Sequence, residues 1–135
     1  MPSRRSNVLA LALLALGSCT PGPDDVALCQ AIASRASGAE VIADGTVAQL
    51  LGTATGPSGA HEGFILRLRS GCAATLRVET NVAFTGPIPL HPGERVVVKG
   101  EYDHDPDGDV IHFTHSELHG RHPGGYVEAG GVYYW

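Results

Sequence analysis

The sequence contains no block of basic residues, and its formal charge is −5, from nine Lys and Arg against 14 Asp and Glu. A groove that tracks a phosphate backbone is therefore not advertised. An acidic surface still permits a nucleic-acid substrate, because an enzyme needs only a local positive site. Long apolar stretches are also missing: Val8 to Leu16 is a run of nine residues, too short to span a bilayer as a mature helix. There is no internal repeat and no low-complexity tract. Cysteine is scarce, at three residues in a 135-residue chain that has room for one small domain. Turn formers are abundant: 18 glycines and nine prolines point to a turn-rich β protein rather than a helical bundle.

The apolar run follows Arg4 and Arg5 and ends in Leu16-Gly17-Ser18-Cys19. This pattern resembles the lipobox of bacterial lipoproteins, in which the cysteine is lipidated and becomes the new N-terminus. Residues 1–18 are then a signal peptide, residues 19–38 a lipidated tether with a short helix, and residues 39–135 the folded domain. The alternative is an ordinary secretory signal with a chance cysteine. Ser3-Arg4-Arg5 lacks the apolar residues that follow a twin-arginine pair, which favours the general export route. Thr20 is not the aspartate associated with inner-membrane retention, so the expected location is the periplasmic face of the outer membrane, with the membrane as a partner through the lipid. Export leaves Cys29 and Cys72 in an oxidising compartment, where two cysteines in a small domain read as one disulfide. It closes a loop of roughly forty residues, and a Cys/His metal site is the alternative.

Asp24 reads as the N-cap of a helix running to about Ser37, with Val26, Leu28, Cys29, Ile32 and Ala33 near one face and Gly38 as the stop. From Glu40 the pattern changes to strands. Val41–Leu51 is the first, and Thr53–Gly59 is a turn. His61–Arg69 alternates, with Phe64, Leu66 and Leu68 facing one way. Cys72–Thr80 alternates with Cys72, Ala74, Leu76 and Val78 on one face, after a hairpin at Ser70-Gly71. Asn81 to Gly93 is a long proline-bearing connection. Glu94–Asp103 and Asp109–His115 form a hairpin around Pro106-Asp107-Gly108, and Tyr126–Trp135 forms a short last hairpin turning at Gly130-Gly131. Five main strands and a long third connection predict a mainly β chain folded as a small OB-like five-stranded barrel with a short N-terminal helix. Another small open barrel or roll is the alternative.

The chemistry concentrates between Gly100 and Gly125, which hold five of the seven histidines (His104, His112, His115, His119, His122) beside Glu101, Asp103, Asp105, Asp107, Asp109, Glu117 and Arg121. On a straight strand His112 and His115 point to opposite faces, so they share a metal only if the strand ends or bulges near Thr114. Hairpin register gives a firmer inference. A two-residue Asp107-Gly108 turn sets His112 opposite Asp103, and a four-residue turn sets it opposite Glu101. Either way an acid faces His112, fixing its tautomer or raising its basicity. Arg121, on the loop that follows, offers a planar fork suited to phosphate or carboxylate. His104 and His119 read as surface groups, and His91, next to Pro92, as loop. The Asp103–Asp109 stretch matches the oxygen-ligand half of an EF-hand calcium loop, but Thr114 occupies the place of the closing glutamate. A solvated hairpin turn is the expected reading there.

From about His61 to Tyr134 the chain resembles an uncharacterised family of small exported bacterial proteins, domain of unknown function 3465. The matching stretches are His61 with Phe64-Ile65-Leu66, Asn81, Gly100-Glu101-Tyr102, Val110 to His115, Gly120-Arg121-His122 and Gly125-Tyr126. The resemblance implies a compact β domain with a shared histidine-rich site and brings no established activity. Thr80 departs from a histidine of the family pattern. Ser116-Glu117-Leu118 replaces a His-Asp-Pro run, with Glu117 placed to stand in for the aspartate.

These residues suggest a small metal-assisted hydrolase of phosphodiesters, nuclease-like in its chemistry. His112, Arg121, Glu101 and Asp103 are the candidate catalytic groups. His112, His115, His122 and His61 are the candidate ligands of a divalent metal (zinc, calcium or magnesium). A non-enzymatic module that binds a divalent metal or an anionic ligand is the second reading, and an interaction domain without a site is the third. Thermonuclease is an OB-fold nuclease, which is analogy at the level of fold only.

Overall fold

The computed structural model describes residues 22–135. The lipobox expected at Cys19 lies outside the described residues. Asp24 caps α1 (Asp25–Ser34) as expected, its Oδ1 accepting from the Ala27 N–H at 3.0 Å. The helix ends earlier than the sequence predicts. Arg35 adopts a left-handed conformation and returns its N–H to Ala31 and Ile32, so Gly38 lies beyond the stop. The buried face also differs, because Leu28 and Ala31 enter the core while Val26 and Ala33 are exposed.

The strands are β1 (Ala39–Gly56), β2 (Gly59–Leu68), β3 (Thr75–Asn81), β4 (Arg95–Asp103), β5 (Val110–His112), β6 (Tyr126–Ala129) and β7 (Val132–Tyr134), with a one-turn helix α2 (Val82–Thr85) between β3 and β4. They run in the order β1-β2-β3-β5-β4 and close into a ring through a β1–β4 pairing. All pairings are antiparallel except β3–β5. β6 and β7 extend the sheet from β4. β1 serves two partners because its pairing with β2 shifts register after Val47 and after Leu50, which bends the strand. It also continues through Thr53–Gly56, which the sequence reading gave to a turn.

The ring closes on alternate apolar residues. Phe64, Leu66 and Leu68 of β2 face Leu76 and Val78 of β3, Val96, Val98 and Tyr102 of β4, and Ile111 of β5. Burying each such side chain contributes about 1.5–3 kcal/mol. The predicted alternation from Cys72 is shorter than expected. Ala74 is exposed, and Cys72 sits in the loop before β3, where it joins Cys29 across a Cα–Cα distance of 5.6 Å. This staple ties α1 to the sheet, and a closed loop of its length contributes about 2–4 kcal/mol.

Within β1, the shared neighbour of β2 and β4, Asp44 is almost wholly buried and is gripped by two arginines. Arg95 donates through Nε to Oδ1 at 3.0 Å and through Nη2 to Oδ2 at 2.9 Å, and Arg69 Nη1 donates to Oδ2 at 3.1 Å. The Arg95 hydrogen bonds, helped by Arg69 and opposed by burial, hold this carboxyl below its ordinary range. A carboxyl with a depressed folded value adds stability above its unfolded value and loses it as pH falls through the folded one. Asp44→Asn is therefore expected to cost about 2 kcal/mol at neutral pH. The gap to the parent should close as pH drops below about 4. Urea unfolding of both proteins at pH 7 and near pH 2.5 checks this, and a gap that persists in acid would contradict it.

Candidate metal centre

β4 and β5 bring the acids to His112. Glu101 pairs with His112 across the ladder and Asp103 with Val110, which places Asp103 diagonally beside His112 on the same face. This is the register of the four-residue turn. The Gly108 N–H closes it onto the Asp105 carbonyl at 2.9 Å. His112 Nε2 lies 2.7 Å from Asp103 Oδ2 and 3.8 Å from Glu101 Oε1. It is shielded from solvent yet makes no hydrogen bond, so the Asp103 oxygen lies off the direction a ring N–H would take. Asp103 is held from behind, its Oδ1 accepting from the Gly38 N–H at 3.1 Å. Among the described residues, Glu101, Asp103 and His112 are the group whose ligand atoms all lie within 4.8 Å of one another. An ion held by such ligands would lie about 2.0–2.2 Å from each.

β5 ends at His112 because Phe113 has φ +53, a conformation L residues seldom adopt. This reversal breaks strand alternation. It buries Thr114, whose hydroxyl donates to the Glu79 carbonyl at 3.0 Å, and turns His115 to the same cleft as His112. Two glycines make room for it. A Cβ on Gly100 would fall 2.3 Å from the His112 carbonyl oxygen. One on Gly125 would fall 2.3 Å from that of Phe113 and 2.4 Å from that of Lys99. The Phe113 ring stacks on His112 and on His122, with centroids 4.1 and 4.2 Å away.

The resulting cleft of about 820 Å³ is lined by Ser58, His61, Glu79, Asn81, Phe84, Glu101, His112, Phe113, His115, Glu117, Arg121 and His122. His61, His115 and His122 thus share it without joining the Glu101–Asp103–His112 group. Each directs Nδ1 at a backbone carbonyl, of Gly59 at 3.1 Å, Ser116 at 2.8 Å and Pro123 at 2.8 Å respectively. A carbonyl only accepts, so Nδ1 carries a proton in each. His122 Nε2 lies 3.2 Å from Glu117 Oε2, and Arg121 Nε lies 3.3 Å from the same oxygen. The Glu117 side chain is only 3 % exposed. The His119 N–H donates to its Oε1, and that bond, against the cost of burial and with help from Arg121 and His122, holds the carboxyl below its ordinary range.

One expectation about a single residue needs amending. His104 is not a bare surface group: its Nδ1 lies 2.7 Å from Asp109 Oδ1, and Tyr102 donates to Asp109 Oδ2 at 2.6 Å. Burial raises the Tyr102 phenol, and the Asp109 carboxylate adds to the rise. The calcium-loop match is accounted for by this clasp, since Asp109 faces inward and Asp105 accepts from the Asp107 N–H. His119 and His91 are exposed. Ser58, Glu79, Phe84 and Phe113 escaped the sequence reading as site residues. The first three come from distant strands and connections, and nothing local marks Phe113 as the point of reversal.

The family model described as "Protein of unknown function (DUF3465)" matches residues 9–135. It extends well beyond the stretch from His61 on which the resemblance rests. No curated protein and no solved structure matches the chain.

Proposed function

The chain belongs to the DUF3465 family of proteins of unknown function, and from that starting point we propose that its cleft is the site of a metal-assisted phosphodiester hydrolase. The observation that carries the reading is the Glu101–Asp103–His112 group, with a buried His112 Nε2 that has no hydrogen-bond partner, at the wall of an open cleft. Two carboxylates and one imidazole suit zinc, manganese or another borderline divalent ion and leave coordination positions for water and substrate. Such an ion supplies Lewis acidity and a nucleophile at neutral pH. Arg121 keeps part of its guanidinium free to receive a phosphate oxygen and steady its developing charge. His115 offers Nε2 as a proton acceptor. His122, beside Glu117, supplies a proton to the departing oxygen.

Hydrolysis of bis(p-nitrophenyl) phosphate after loading with zinc, manganese, magnesium or calcium tests this. Metal-dependent release of nitrophenol is expected. A protein that binds metal but hydrolyses nothing would leave the non-enzymatic binding module as the reading.

Two further features belong to the same proposal. The ring is an OB-like barrel: the strand order, the parallel β3–β5 pair and a helical turn between β3 and β4 support this. The protein is a lipoprotein anchored through Cys19 at the periplasmic face of the outer membrane, a reading supported by the Cys29–Cys72 disulfide, which needs an oxidising compartment. Cells fed labelled palmitate are expected to label the parent and not a Cys19→Ser variant. An unlabelled parent would rule out the anchor.

A further inference from the structure

We infer that the phosphodiester taken by this cleft is a short nucleotide, a cyclic mononucleotide or a dinucleotide, whose base stacks on Phe84. The inference rests on the metal-site reading above and names its substrate class.

Phe113 and Phe84 are both in the cleft, but they are placed differently. His112 and His122 each lie nearly parallel to Phe113 and cannot share one face of it, so both faces of that ring are taken. Phe113 therefore serves to orient the two histidines. Phe84 stacks on His115 alone, with centroids 4.3 Å apart and planes 13° from parallel, and is 52 % exposed. The ring lines the cleft, and His115 is the one ring stacked on it among the described residues. An exposed phenyl forgoes the free energy of burial, so a ring fixed in that position is poised for a ligand. It is fixed: Asn81 accepts from the Ala83 N–H at 3.0 Å and donates to the Ser58 carbonyl at 3.1 Å, anchoring the one-turn helix that carries Phe84.

Charge limits the length of the ligand. Glu79, Glu101, Asp103 and Glu117 outnumber Arg121 around the site, and the whole chain carries −5. A polyanion tracking along this surface meets repulsion, and no basic groove offsets it. One phosphate, neutralised by a divalent ion and Arg121, is tolerated, and the remaining affinity comes from a planar base on an aromatic face.

The test compares thymidine 5′-monophosphate with deoxyribose 5-phosphate, which has the same sugar and phosphomonoester but no base. Neither contains a phosphodiester to be cleaved. Binding to the manganese-loaded protein is measured by calorimetry, with bound manganese determined in each sample. The parent is expected to bind the nucleotide about tenfold more tightly than the sugar phosphate. Phe84→Ala should bring the two together, and Phe84→Trp should keep the preference. Equal affinities in the metal-bound parent, or a preference that survives Phe84→Ala, would overturn the stacking role, and survival would leave the exposed ring to a protein partner. A parent that takes up no manganese would instead sink the metal reading, and this inference with it.

Discussion

His112→Ala is expected to abolish metal retention and, with it, phosphodiester hydrolysis. The imidazole is the single nitrogen in the three-residue group, and its removal leaves Glu101 and Asp103 as a bare carboxylate pair. Loss of a group that merely orients a metal ligand costs about 10–100-fold in metal affinity or activity, so loss of a ligand should exceed 100-fold. Arg121→Ala should behave differently. It removes a donor to the phosphate without touching the ligands, and is expected to lower kcat by about 100-fold at unchanged metal content. His119→Ala, on an exposed side chain, should change neither quantity. Elemental analysis and steady-state kinetics on the three variants separate ligand, charge-stabilising group and bystander. Equal metal content in parent and His112→Ala would remove His112 from the centre.

Gly125→Ala is expected to produce the largest loss of stability. The three atoms nearest to the added Cβ are all backbone, at 2.3 Å (Phe113 oxygen), 2.4 Å (Lys99 oxygen) and 2.9 Å (Thr114 Cα). No side chain can swing aside to relieve that overlap. The strand β4 and the reversal at Phe113 would have to part, and the Gly125 N–H would lose its bond to the His115 carbonyl. Overpacking of this kind costs about 1–3 kcal/mol where side chains can adjust, and more than about 3 kcal/mol where only backbone is available. Gly124→Ala is the control. Its Cβ would meet nothing closer than 3.7 Å, and it should be nearly neutral. Thermal unfolding of the pair reads the difference, and similar melting temperatures would mean that the close approach is not constraining.

The parts of this structure that were legible in the sequence are those set by short-range rules. Asp24 caps its helix, β2 alternates as written, and the four-residue turn at Asp105–Gly108 puts Glu101 across from His112. The disulfide followed from there being two cysteines in a small domain that the sequence reading takes to be exported. What was not legible depends on long-range geometry. The sequence left His112 and His115 on opposite faces unless the strand broke, and the break is the left-handed Phe113, which only Gly100 and Gly125 make sterically possible. His61 and Asn81 face each other through β2–β3 register, Glu79 lies two residues along the same ladder, and Phe84 reaches the cleft from α2 beyond it. Cys72 was read onto a strand because its spacing fitted, whereas the bond to Cys29 accounts for it in the loop. Asp103 appeared as an alternative to Glu101, and the structure sets both beside His112, because a diagonal neighbour on one sheet face lies within reach of the same imidazole.

The most direct measurement is anomalous diffraction from crystals of the protein grown or soaked with manganese or zinc. One peak is expected, within about 2.0–2.2 Å of His112 Nε2 and of one oxygen each from Glu101 and Asp103. A strong peak elsewhere in the cleft, on His115 or His122 for example, or none at the Glu101–Asp103–His112 group under saturating metal, would contradict the account.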